Sequence, residues 1–185
     1  EFYHDFVHYF NRITGMMQPG YYERKYTPFA NGHATVGSMN IQYDKYEGSK
    51  VRAVGWPGLA PGGWYMVDLF PGITYNLRTS VLRIDTAIPL GPNKVAIEFR
   101  GLGLKSDTPE QRAQRIFDHN TIWGPFGRNL HEDLLAVHGQ GRAMREGTDS
   151  RWVIHGREEN STIHEEVGMR HFYAEWGRRM GRPAH

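Results

Sequence analysis

Between His33 and about Leu104 the apolar residues take up strand-like spacing, and turn chemistry cuts the stretch into short segments. Segments 36–43, 64–70, 73–77, 81–88 and 94–102 are rich in β-branched and aromatic residues. Glu47-Gly48-Ser49, residues 57–63, Pro71-Gly72 and Gly91-Pro92-Asn93 separate them. The alternation Leu82, Ile84, Thr86, Ile88 points to a half-buried antiparallel sheet. Five strands in one block leave little room for a fold that alternates strand and helix.

Helical patterns flank the block. Phe2, Phe6, Val7, Phe10 and Ile13 predict a helix over 1–14, with Gly15 as its stop. Residues 16–30, punctuated by Pro19, Gly20 and Pro28, read as loop. Thr108-Pro109-Glu110-Gln111 supplies an N-cap, a proline at the first helical position and a partner for a capping box, so a helix runs from there to about Trp123. Gly124-Pro125-Phe126-Gly127 ends it, and Asn129 can cap a further helix reaching about Met144. A short strand over 151–155 and a last helix over 161–180 complete the pattern. The fold class is therefore α+β, with helices packed on one side of an antiparallel sheet, in a single domain spanning 1–185. Internal repeats, low-complexity segments and interdomain linkers are absent from the sequence.

Composition narrows the chemistry. The 185 residues include no cysteine, ten histidines, and 22 basic against 20 acidic side chains. Disulfides, thiolate metal sites, iron–sulfur ligation by this chain and a cysteine nucleophile are excluded. The one dense basic group, Arg178, Arg179 and Arg182, reads as a solvated helix tail rather than a nucleic-acid surface. No window approaches the roughly 18 apolar residues of a membrane span. The sequence opens on Glu1, within what reads as the interior of a helix, and carries no signal-peptide pattern. The expectation is a piece of a longer cytoplasmic protein, cut on its N-terminal side.

The densest chemistry lies in Glu1-Phe2-Tyr3-His4-Asp5-Phe6-Val7-His8. On a helix, His4 and His8 share a face with Cβ atoms about 5–6 Å apart, a spacing that can chelate one divalent ion. Such a site needs another ligand, which here means a carboxylate or a third histidine. The zinc-hydrolase pattern His-Glu-x-x-His does not occur. His131 with His138, and His164 with His171, are each about two helical turns apart and read as solvated faces. After the turn at 124–127, Glu132 and Asp133 stand in the first turns of a helix. They either complement the helix dipole, or Asp133 projects toward His4 and His8.

These segments resemble the α subunits of Rieske non-haem iron oxygenases, the aromatic-ring-hydroxylating oxygenases. The family's mononuclear-iron motif is an acid, two residues, a histidine, and a second histidine four or five positions on. Glu1, His4 and His8 match it. Trp123-Gly124-Pro125-Phe126-Gly127 followed by Glu132-Asp133 resembles the segment that supplies the aspartate ligand, and Gly156-Arg157-Glu158-Glu159 with Arg170-His171-Phe172-Tyr173 and Trp176 resembles the closing helix. The histidines are separated by three residues where most members have four, and Glu1 stands where Asp is usual.

The resemblance implies a helix-grip catalytic domain in which His4, His8 and Asp133 hold a mononuclear Fe(II). This facial triad leaves positions open for O₂. It implies that Glu1 bridges the iron to a neighbouring subunit's Rieske cluster, and that Phe6, Val7 and Trp123 line the substrate pocket. The [2Fe–2S] Rieske cluster would belong to an upstream domain. Electrons would come from NAD(P)H through a partner reductase, sometimes with a ferredoxin, to an α₃ or α₃β₃ oligomer. The reaction implied is hydroxylation or dihydroxylation of an aromatic or similar small organic substrate, with this piece inactive alone. Two other classes stay open: a metal-free small-ligand-binding helix-grip module, and a zinc hydrolase using the same three ligands.

Overall fold

The computed structural model describes residues 25–40, 54–60, 63–78, 80–125, 127, 129–147 and 166–182. The expected helix over 1–14 and the short strand over 151–155 lie outside these residues. Six strands, β1 (Tyr26–Phe29), β2 (His33–Asn40), β3 (Gly63–Leu69), β4 (Ile73–Arg78), β5 (Val81–Gly91) and β6 (Lys94–Leu102), precede three helices. These are α1 (Pro109–Trp123), α2 (Leu130–Arg145) and α3 (Val167–Arg179). The strands form one open sheet in the order β1-β2-β3-β4-β5-β6, antiparallel throughout. The α+β reading and the antiparallel sheet hold.

Strand β1 corrects the expectation of a loop over 16–30. Pro28 cannot donate to a ladder, but among the described residues β1 is an edge strand, where proline is tolerated. A 3-10 turn at Ala30–Gly32 then folds the chain back into β2.

Cross-strand partners point to the same side of a sheet. The row Tyr26, Val36, Met66, Asn76, Arg83, Gly101 therefore lies on one face, crossing all six strands. Both ends of this face are covered. Helix α3 closes on β1 and β2: an added Cβ at Gly168 would stand 2.5 Å from the Tyr26 ring, and one at Gly32 2.9 Å from Glu175 Cβ. Gly32 also has a φ of +77°, which a side chain would strain. Phe172 of α3 packs on Phe70 with ring centroids 5.0 Å apart. Helix α1 closes on β5 and β6, where His119 lies against Gly101. Tyr26, Ala34, Val36, Trp64, Val81 and Ile122 form the apolar core of the covered face, with Trp56 under the loop at 54–60.

Helix α1 begins as the sequence predicts. The Thr108 hydroxyl accepts from the Gln111 amide at 3.2 Å, and the Gln111 side chain accepts from the Thr108 amide at 2.9 Å. Arg115 fastens this helix to the sheet. It is 4% exposed, chelates Asp107 and donates to the Ser80 carbonyl (2.8 Å) and the Gly55 carbonyl (2.9 Å). Its guanidinium also lies 4.0 Å from the centre of the Trp56 ring. Asn129 departs from the expected cap: its side chain makes no capping bond, and its helical backbone instead accepts from the Glu132 amide at 3.2 Å. The last helix is described from Val167, with Glu166 in the left-handed region at its start.

Candidate functional site

The centre of the covered face is polar and aromatic rather than aliphatic. In β5 the buried parity is Val81, Arg83 and Asp85, while Leu82 and Ile84 take the other face. Arg83 is only 3% exposed. Its Nε and Nη2 grip both oxygens of Asp85 in a bidentate pair. The guanidinium carbon sits 3.6 Å from the centre of the Trp123 ring and 4.7 Å from that of Phe99, so the cation rests against two π systems. Trp123 and Phe99 in turn pack on each other with centroids 5.9 Å apart. Arg78 of β4 lies 5.9 Å from the same Trp123 ring. Nη1 of Arg83 is buried and makes no hydrogen bond.

Burial dominates the electrostatics. It lowers the Arg83 pKa, a shift that Asp85 opposes and the neighbouring positive charge of Arg78 reinforces. It raises that of Asp85 despite the guanidinium beside it. It also lowers that of His119, which Arg83 pushes the same way, and the buried Nε2 of His119 makes no hydrogen bond.

The turn after α1 delivers the carboxylates. The Gly127 amide donates to the Gly124 carbonyl at 2.7 Å and the Asn129 amide to the Ile122 carbonyl at 3.1 Å, turning the chain back over the end of α1. Asp133 and Glu132 then occupy the first turn of α2, Asp133 half-buried and Glu132 buried. Asp133 lies near enough to Arg83 to favour its charge.

Of the residues that the sequence singled out, the structure sets Trp123 against Arg83 and Asp133 within electrostatic reach of it. Glu1, His4, His8, Phe6 and Val7 lie outside the described residues. Among the described residues no group of three metal-ligating side chains occurs. A hard carboxylate oxygen on a helix start fits the donor set of two imidazoles and one carboxylate that suits Fe(II). Arg83, Arg78, Asp85 and Phe99 were missed. Their signal was the charge at Arg83 and Asp85 inside an otherwise apolar strand.

An open antiparallel sheet, gripped at both ends of one face by helices around a polar aromatic centre, is the class that the fold and site define. The family described as "Ring hydroxylating alpha subunit (catalytic domain)" matches residues 1–182, and the chain belongs to this family, the catalytic domain of Rieske oxygenase α subunits. It is 61% identical over 183 residues to the methanesulfonate monooxygenase hydroxylase subunit alpha of Methylosulfonomonas methylovora, covering 98% of this chain and 44% of that protein. It is 40% identical over 186 residues to the 2-aminobenzenesulfonate 2,3-dioxygenase subunit alpha of an Alcaligenes species, covering 100% of this chain and 47% of that one. The chain thus spans a little under half the length of these relatives. Naphthalene 1,2-dioxygenase from a Rhodococcus species, solved with indole, has the same fold at a TM-score of 0.67, with 14% identity over 94% of this chain and 49% of that one.

Proposed function

We propose that this chain is the iron-binding half of an oxygenase subunit that uses O₂ to oxygenate an organosulfonate. Membership of the ring-hydroxylating family supports oxygenation, and the names of the two relatives cited first support the substrate class. The observation that carries the site is Asp133, a half-buried carboxylate on the first turn of α2, beside the Trp123–Arg83 cluster.

In this reading His4, His8 and Asp133 hold the iron, and Glu1 accepts a hydrogen bond from a histidine on the electron path. Bound Fe(II) supplies open coordination positions at which O₂ is activated. The chain's own residues do the rest. The turn at 124–129 aims the Asp133 carboxylate, and the first-turn amides of α2 favour its negative charge. Trp123 and Phe99 give an aromatic wall that excludes water from one side of the substrate, while Phe6 and Val7 add apolar surface. A Rieske cluster outside this chain, fed from NAD(P)H by a partner reductase, would supply the electrons. The assembled enzyme is an α₃ or α₃β₃ oligomer of the cytoplasm. Among the described residues no helix is long and apolar enough to cross a membrane.

The full-length subunit with its reductase tests this. Stoichiometric iron and methanesulfonate- or 2-aminobenzenesulfonate-dependent O₂ consumption are expected, both lost in Asp133→Ala. A variant that kept iron and activity would sink the ligand assignment. Stoichiometric zinc with O₂-independent turnover, or no metal at all, would replace the oxygenase reading.

A further inference from the structure

An arginine placed in a protein interior usually spends its donors on carbonyls and carboxylates, because an unpaired buried donor carries the full desolvation penalty. Arg115 follows this rule: Nη1 bonds the Ser80 carbonyl, while Nε and Nη2 bond Asp107 and the Gly55 carbonyl. Arg83 does not. Asp85 takes Nε and one edge of Nη2, two aromatic rings lie against the guanidinium, and Nη1 is left buried without an acceptor. Arg78 lies 5.9 Å from the centre of the same Trp123 ring, and its charge disfavours that of Arg83. An anion that accepts from Nη1 would satisfy that donor and offset the positive charge around it.

The surroundings narrow what such an anion can be. Its remaining bulk would meet Trp123 and Phe99, so a small anion with an organic body fits better than a fully hydrated inorganic one. Asp133, the proposed iron ligand, lies within electrostatic reach of the same guanidinium, so an anion held there is in the neighbourhood of the proposed iron site.

We infer that Arg83 is the specificity-determining residue of the site: its Nη1 donates to a sulfonate oxygen of the substrate, with Asp85 fixing the guanidinium from behind and the Trp123 and Phe99 rings holding its plane. This inference rests on the organosulfonate reading above. Asp85 is then a positioning residue, acting through Arg83. A neutral substrate of the same shape gains nothing from Nη1, so charge is what the site discriminates.

The test uses the full-length, iron-loaded subunit with its electron-transfer partners. Methanesulfonate and 2-aminobenzenesulfonate are the charged probes, and dimethyl sulfone is the neutral one. Calorimetric Kd and steady-state KM are measured for wild type, Arg83→Gln and Arg83→Lys. A charge-assisted hydrogen bond in a desolvated site is worth about 30-fold in affinity. Both variants are expected to weaken sulfonate binding by about that factor or more, raising KM more than they lower kcat, with dimethyl sulfone affinity unchanged. Lysine keeps the charge and a partner for Asp85 but not the planar fork. It therefore decides the matter if Arg83→Gln does not fold. A folded Arg83→Lys that binds sulfonates within twofold of wild type overturns the inference. So does equal weakening of the charged and neutral probes, which marks a purely structural role. A wild-type enzyme that oxygenates other compounds and binds no sulfonate overturns the substrate class itself, and is read from the wild type alone.

Discussion

A bidentate pair packed against two aromatic rings makes Arg83 and Asp85 depend on each other. Burial disfavours the charged form of each, and chiefly the partner offsets it. Asp85→Ala leaves a buried guanidinium with two more idle donors and is expected to cost about 3–5 kcal/mol. Replacing both, Arg83→Met with Asp85→Leu, removes the charges together and is expected to lie within about 1 kcal/mol of wild type. Urea unfolding of the two variants checks this, and a paired variant as unstable as Asp85→Ala would show that the pair is worth more than its desolvation. Pairs of this kind are hard to read in a sequence. Arg83 and Asp85 are two apart in a strand whose other parity, Leu82, Ile84, Thr86, Ile88, carries the obvious apolar signal. Only the position of Trp123, forty residues on, makes the charged parity the inner one. Arg115 was illegible for the same reason: its partners at Gly55 and Ser80 come from 60 and 35 residues away.

At the scale of elements, α3 shows how closely helix and sheet meet. Gly168 faces the Tyr26 ring with room for hydrogen alone. Gly168→Ala should cost roughly 1–3 kcal/mol through overpacking, although alanine is the better helix former. Thermal melts check the sign, and a stabilised variant would show that α3 can shift without loss. The same helix carries a pH signal. Arg178 and Arg179 hold the Glu175 carboxyl at about 2, well below its ordinary 4.5. Its folded pKa is depressed, so the stabilisation is present above about pH 4.5 and is lost as pH falls toward 2. Glu175→Gln should therefore unfold with a flatter pH dependence across that window, as urea midpoints between pH 5 and about 2 would reveal. Elements with local chemistry were legible: the turns at Pro71-Gly72 and Gly91-Pro92-Asn93 and the Thr108 capping box carry their own instructions. Strand β1 was not, because its proline argues against a strand and only pairing with β2 overrides it. The Asn129 cap failed because a backbone bond to the Ile122 carbonyl sets the geometry there.

Across the whole molecule, the two gripping helices sit at opposite ends of one face, with the sheet between them. Thr108→Ala at the head of α1 should cost about 1 kcal/mol. Combined with Gly168→Ala on α3, the two costs should add within about 0.5 kcal/mol. A double variant that departs from the sum by more than this would reveal coupling through the central rows, where Asn76 and Arg83 lie. The sheet's two margins also differ in a way that bears on self-association. β1 is four residues long and holds a proline, whereas β6 is nine residues long and, among the described residues, ends the sheet on the other side. One margin is thus a poor template for a further strand and the other a good one. A body with a single adhesive margin can join a second copy once, β6 against β6, and growth then stops. Exposed cores of this fold should accordingly self-limit at pairs, where a sheet open on both sides would build fibrils.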